Sequence, residues 1–245
     1  MLNINKSFRN RYISEHIISK RIYKEGQWQT TMENVPNAVI NNQISNQAVV
    51  FGNGLSRLSF NINLIINHKG GLLGADKLQT YGCNALYRDV TVDFLVATDS
   101  NIATELLNSE YINTNIVYTR IVNTMAFPKK FYLIPNDMYA DAGTTAAYLA
   151  AFDGHKKIFL LGFDGQDTPN FNHNVYAGTS CYDATDFTVN DEKWIANQAN
   201  LFSTYNEVDF IIVSETGYAP MPTSWKYLTN VRPISFANFI LETSL

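Results

Sequence analysis

From residue 47 onward the chain is written in short apolar runs separated by polar stretches. "AVVFG" at 48–52, "DFLVATD" at 93–99, "NIVYT" at 115–119, "KKIFLLGFD" at 156–164 and "VDFIIVS" at 208–214 are rich in Val, Ile, Leu and Phe. Such near-continuous runs predict strands buried on both faces of a parallel sheet. "QTYGCNA" at 79–85 and "KFYLIP" at 130–135 are weaker runs of the same kind. Helical candidates at 99–108, 142–153 and 191–204 fall between them. Alternating strand and helix predicts an α/β fold: a single Rossmann-like domain, mostly parallel sheet with helices on both faces.

The best-formed unit is "DAGTTAAYLAAFDGHKKIFLLGFDG". Gly143 and Thr144 are expected to open its helix, and the alanines after them let the helix lie close to a sheet. Gly154 stands where a left-handed cap is wanted, and Lys156 and Lys157 follow the negative helix end. Residues 1–46 read differently, as a basic arm and linker before a domain at 47–245. Lys6, Arg9, Arg11, Lys20, Arg21 and Lys24 stand there against Glu15 and Glu25. Ile13, Ile17, Ile18 and Ile22 recur near helical spacing and Ser14 with Glu15 can open a helix, which predicts an N-terminal helical arm. Its basic side is either a solvated face or a docking surface for a partner protein, a second copy or an acidic surface. Residues 29–46, rich in Asn and Gln around Pro36, read as linker.

Composition narrows the function classes. Only 16% of the 245 residues are charged, below the usual share of about a quarter. A net charge of −4 provides no global basic field for nucleic acid or an anionic membrane. No apolar run approaches the roughly 18 residues of a spanning helix, and no signal-peptide core is visible. Cys83 and Cys181 have neither disulfide-scaffold nor metal-ligand spacing. The expectation is a cytoplasmic protein without a membrane span.

Ligands of open parallel sheets bind outside the carboxyl ends of the strands, near the switch in strand order. The residues that end strands here are Gly52-Asn53-Gly54, Gly82 with Asn84, Asp99 and Asp164. Gly52-Asn53-Gly54 reads either as a tight turn or as a backbone cradle for phosphate, and Asp99 either as a helix cap or as a site carboxylate. Together with the helix start at Gly143-Thr144, they predict one pocket for an anionic ligand. Asn53 and Asn84 add amides that can read a base or a sugar. The aperiodic segment 166–186 leaves the same edge, so it is expected to act as a lid or acceptor loop.

Three blocks carry a family resemblance: "VVFGNGLSRL", "TYGCNALYRDVTVDFLVATD" and the Gly143–Asp164 unit. In order, they resemble a superfamily that contains the bacterial sialyltransferases using CMP-sialic acid. Motility-associated flagellin glycosylation factors and 6-hydroxymethylpterin diphosphokinase-like proteins belong to it too. Gly52, Asn53, Gly54 and Ser56 match its Gly-Asn-Gly-Pro-Ser loop, with Leu55 in place of the proline. Gly82-Cys83-Asn84 is similar to its Arg-Cys-Asn block, Gly162-Phe163-Asp164 to its Gly-x-Asp strand end, and "ISFANFIL" to its closing segment. The chain also resembles small marine bacteriophage proteins, which would place it in a host cytoplasm.

The resemblance implies that Gly52, Asn53, Gly54, Ser56, Asn84, Asp99, Gly143, Thr144 and Asp164 hold a nucleotide, the cytidine monophosphate part of a sugar donor. It implies transfer of the sugar to an acceptor hydroxyl with no required metal or cofactor. Tyr176 and Tyr182 resemble the tyrosines that bind the leaving phosphate. The family's histidine base has no counterpart in "DATDFTVNDEKW". His173, Asp183 and Asp186 are the rival bases. Two alternatives stay open: Mg²⁺-dependent diphosphate transfer with Asp99 and Asp164 as ligands, and a non-catalytic nucleotide-binding or interaction module.

Overall fold

The computed structural model describes residues 2–4, 15–36, 46–66, 78–164, 174–184 and 191–245. The N-terminal region departs from the helical expectation. Strands β1 (Leu2–Ile4), β2 (Glu15–Lys24) and β3 (Gln27–Pro36) form an antiparallel sheet. Ile17, Ile18 and Ile22 are β-branched, which suits a strand at least as well as their spacing suits a helix. The deciding signal is the Glu25-Gly26 turn, with φ of 52° and 81°. Two successive positive φ values make a hairpin turn that matches strand twist, so the chain folds back with Lys24 opposite Gln27. The linker reading of 29–46 fails over 29–36, which lie in β3, while 37–45 and Ile13 lie outside the described residues.

The remaining strands are β4 (Gln47–Phe51), β5 (Leu78–Cys83), β6 (Phe94–Ala97), β7 (Ile116–Thr119), β8 (Tyr132–Leu133), β9 (Lys157–Leu161), β10 (Asp209–Ser214) and β11 (Val231–Ser235). They form one sheet in the order β11-β10-β9-β4-β5-β6-β7-β8, every pairing parallel. The helices are α1 (Asn63–Ile66), α2 (Ser100–Leu107), α3 (Tyr111–Thr114), α4 (Ile121–Ala126), α5 (Ala142–Asp153), α6 (Asp191–Thr204) and α7 (Phe236–Thr243).

Alternate residues of the strands feed two apolar layers. Val50, Tyr81, Val96, Leu160 and Ile212 pack with α5 and α6 on one face. Val49, Leu95, Phe159, Ile211 and Val213 pack with α1, α2 and α7 on the other. Both faces are therefore buried, the reason these strands lack polar alternation. Helix α5 buries Ala146, Ala147, Ala150 and Ala151 against the sheet and ends at Gly154, whose φ of 101° gives the left-handed cap. Chain order runs outward from β4 to β8, then returns to β9 on the other side of β4. The switch in strand order therefore lies between β4 and β9, and the cavity described next opens at their carboxyl ends.

Candidate functional site

The glycine loop after β4 is shaped by the end of β9. Gly52 N donates to Leu161 O at 2.8 Å and Gly54 N to Gly162 O at 2.9 Å. A Cβ on Gly52 would strike Gly162 O, and one on Gly54 would lie 2.5 Å from Asp164 Cγ. The glycines are present because two strand ends touch there. Their amides point at the carbonyls of Leu161 and Gly162, so in this loop Gly52 N and Gly54 N are not free to form a phosphate cradle.

Two side chains tie this contact together. Ser56 donates its amide to Asp164 Oδ2 at 2.8 Å and its hydroxyl to Asp164 Oδ1. Ser56 thus latches the loop to Asp164 and is not part of the cavity wall. Beneath the loop lies Arg57, only 2% exposed. It donates to Gly52 O at 3.3 Å, to Tyr176 OH at 2.7 Å and to Asp89 Oδ2 at 3.1 Å. Tyr176 donates in turn to Asp89 at 2.5 Å, so its hydroxyl serves this internal network rather than a ligand.

Tyr176 belongs to a strap, residues 174–184, that lies on the glycine loop through Val175 N to Asn53 O at 2.9 Å. Arg88 reaches Thr179 Oγ1 and Ser180 O, both at 2.8 Å. Ser180 donates to Glu105 Oε2 at 2.8 Å. Burial would raise the Glu105 carboxyl, but hydrogen bonds from Tyr87, Arg88, Ser180 and Cys181 outweigh it and hold it at about 2. The described part of the expected lid is therefore a docked strap. His173 and Asp186 lie outside the described residues.

A cavity of about 490 Å³ opens beside this assembly. Gly52, Asn53, Gly54 and Asp164 form one wall, with Tyr182 and Asp183 of the strap above. Asn84 and Asp99 form the next. Asn84 sits at φ 45°, donates to Asp99 Oδ2 at 2.6 Å and accepts from Thr98 N at 3.1 Å. Asp99 precedes α2 but makes no side-chain cap to it; the carboxylate is turned to Asn84. Burial pushes the neighbouring Cys83 thiol up to about 12, which leaves it an unreactive wall group.

The α5 start differs from expectation. Gly143 lines the cavity, but Asp141 is the cap: its carboxylate accepts from Thr144 N at 2.8 Å and Thr144 Oγ1 at 2.6 Å. Thr144 is fully buried and serves Asp141, not a ligand. Burial raises the Asp141 carboxyl despite these bonds. The helix terminus is already occupied by the chain's own anion.

Sequence reasoning misses Arg120, Tyr139, Asp141, Lys193, Trp194 and Asn197, all of which line the cavity. Arg120 directly follows β7 and so lies on the strand-end rim. Asp141 stands three residues before Thr144, at cap spacing. Lys193 and Asn197 are four apart on α6, one helix face. In the lining, the buried atoms Asn53 Oδ1 and Asn197 Nδ2 have no hydrogen-bond partner among the described residues. Such orphans are rare in a finished core. Tyr182 OH lies near the Asn84 side chain and the Ala85 amide, and burial raises its phenol.

Three of the four lining carboxylates are engaged by the chain's own donors. Both Asp164 oxygens face Ser56, Asp99 Oδ2 faces Asn84, and no three ligand-type side chains converge among the described residues. Among those residues no helix is long and apolar enough to cross a membrane.

No protein-family model and no curated protein matches the chain. Solved structures do. The monofunctional α-2,3-sialyltransferase Cst-I from Campylobacter jejuni is similar over 73% of this chain and 79% of its own, with TM-score 0.50 and 15% identity. A single-site variant of the sialyltransferase CST-II, in complex with CMP, is similar over 81% of this chain and 98% of its own, with TM-score 0.40 and 15% identity. The Cst-I likeness is one of fold: this chain has a sialyltransferase-like α/β architecture.

Proposed function

We propose that this chain transfers a sugar from a nucleotide donor, with cytidine monophosphate as carrier, to an acceptor hydroxyl. The observation that carries the reading is the cavity's position at the β4–β9 switch point of a sialyltransferase-like sheet. The similarity of Gly52-Asn53-Gly54, Gly82-Cys83-Asn84 and Gly162-Phe163-Asp164 to the family's blocks supports the cytidine carrier. Asn53 and Asn197 line the cavity with side-chain amides, a group that can read a base or a sugar.

In the reaction the acceptor oxygen bonds to the anomeric carbon as the carbon–oxygen bond to phosphate breaks, its electron pair leaving with the phosphate. The acceptor's proton passes to a carboxylate. Asp183, on the strap above the cavity, is the described carboxylate for that role, since both Asp141 oxygens serve Thr144. With the α5 terminus occupied by Asp141, the developing phosphate charge falls to Arg120, Lys193 and Tyr182.

The test is a thermal-shift panel of CMP, UMP and GMP, followed by donor hydrolysis with CMP-linked sugars, each with and without EDTA. CMP should stabilise the chain most, and slow hydrolysis should survive EDTA. Equal response to all three nucleotides, or none, sinks the reading; hydrolysis abolished by EDTA moves it to metal-dependent transfer.

A further inference from the structure

Among the described residues the two sheets have four outer edges, and three of them are blunted. In the large sheet β8 is two residues long, and β11 carries Arg232 and Pro233. In the N-terminal sheet β1 covers three residues of β2, and beyond it the β2 edge carries Arg21 and Lys24. Short strands, prolines and basic residues keep a sheet edge from pairing with another chain. β3 has none of these defences. It runs for ten residues without a lysine or arginine, and its one proline is the last residue. Its register advances one for one from Lys24 opposite Gln27 to Glu15 opposite Pro36, so no bulge turns the edge aside. β3 passes close to β8 without pairing to it, and a two-residue strand can cover only a short part of that edge.

The hairpin register fixes which backbone groups face outward. The two-residue Glu25-Gly26 turn closes on Lys24 and Gln27 as a hydrogen-bonded pair, so Gln29, Thr31 and Glu33 turn their amides to β2. Thr30, Met32 and Asn34, between and beyond them, turn theirs to the open edge. We propose that this edge pairs with the same edge of a second copy of the chain, antiparallel, about a two-fold axis through Thr31. In that register Thr30 stands opposite the partner's Met32 and the two exchange backbone hydrogen bonds. Thr31 stands opposite its own copy, and Gln29 opposite the partner's Glu33. Glu33 is the only charge in the strand, so it meets an amide and not its like. The edge is complementary to itself, which favours a second copy over an unrelated chain. Doubling also supplies what the sheet lacks. Because β1 is so short, the tip is a two-stranded ribbon with residues 23–30 exposed and the Tyr23 and Trp28 rings packed 5.4 Å apart. Such a ribbon is marginal in water by itself, whereas two copies make one continuous sheet of doubled width.

The experiment is sedimentation of the full chain across a concentration series, with hydrogen exchange read at low and high concentration. A monomer–dimer equilibrium is expected, and protection over Gln27–Pro36 should rise with concentration. Thr30→Pro removes an outward amide and leaves the bonds to β2 in place, so it should abolish the dimer. Thr31→Lys and Thr31→Glu each set like charges across the axis and should weaken association about fivefold. An equimolar mixture of those two variants should recover wild-type association, a rescue that two misfolded hairpins would not produce. Any of four results overturns the pairing: a monomer at every concentration, a dimer indifferent to Thr30→Pro, unchanged protection over Gln27–Pro36, or single variants that mixing does not rescue.

Discussion

Two loops border the cavity and hold their shape by opposite means. Gly52–Gly54 is fixed from inside: its amides are bonded to β9, its missing side chains make room for Gly162 and Asp164, and Arg57 lies beneath it. Asn136–Ala140 is fixed from its flank by the partly exposed Arg120, which donates to Asp137 and Ala140 O and leaves the Tyr139 ring in solvent. The first loop has the sequence of a ligand cradle and mostly serves the fold. The second has no recognisable motif and presents a ring to the cavity. A glycine marks a close approach without saying what approaches.

The sharpest way to break this comparison is Gly54→Val. Its Cβ would lie 2.5 Å from Asp164 Cγ and 2.6 Å from Gly162 O, neither of which can yield cheaply. The expected cost is about 3 kcal/mol or more, read as a lower urea midpoint. A wild-type midpoint would show that the loop is not locked to β9.

The two arginines sharpen the contrast at the next level. Arg57→Met leaves Gly52 O and the Tyr176–Asp89 pair without their buried cation, and should cost about 2–4 kcal/mol. Arg120→Met acts on a side chain 23% exposed, where water replaces lost bonds, and should cost about 1 kcal/mol. Equal losses in urea denaturation would erase the distinction between inner and flanking anchors.

The smallest expected effect comes from the strap that lies on the glycine loop and over one side of the cavity. Glu105 is depressed from 4.5 to about 2 in the folded chain, so the stability it contributes is present above its unfolded value. That contribution is lost as pH falls from about 4.5 through about 2. Screening by solvent keeps it on the order of 1 kcal/mol. Glu105→Gln should flatten the acid limb of a stability–pH curve; an unchanged limb would show that the strap is held without the Glu105 charge.

How much of this is legible follows from where each signal lives. Strands β4, β6, β7, β9 and β10 declare themselves because burial on both faces leaves no polar alternation. The closing strand β11 hides because its run is broken by Arg232 and Pro233, tolerable at a sheet edge. The arm misleads because isoleucine spacing fits two periods over so short a run, and the Glu25-Gly26 turn outranks it. At the site, the carboxyl-edge rule finds the strand-end residues. It does not find Arg120, Tyr139 and the α6 residues, since a polar residue beside a cavity looks like any surface residue until the fold brings it there. Ser56, Thr144 and Tyr176 do stand near the rim, but their hydroxyls serve internal carboxylates.

The strand order also governs how the chain reaches this structure. β4 sits at the sheet's centre, yet its neighbour β9 begins at Lys157, far along the chain from the end of β4 at Phe51. During synthesis the outward run β4 to β8 can assemble first, with one long side of β4 still unpaired. Ala48, Val49, Val50 and Phe51, all fully buried in the finished molecule, then form an open apolar edge. Closing it requires a contact of large sequence separation, which slows folding and lengthens exposure to other chains. The seam that makes the cavity is therefore also an edge that closes late, and until it does the half-made protein is aggregation-prone along that line.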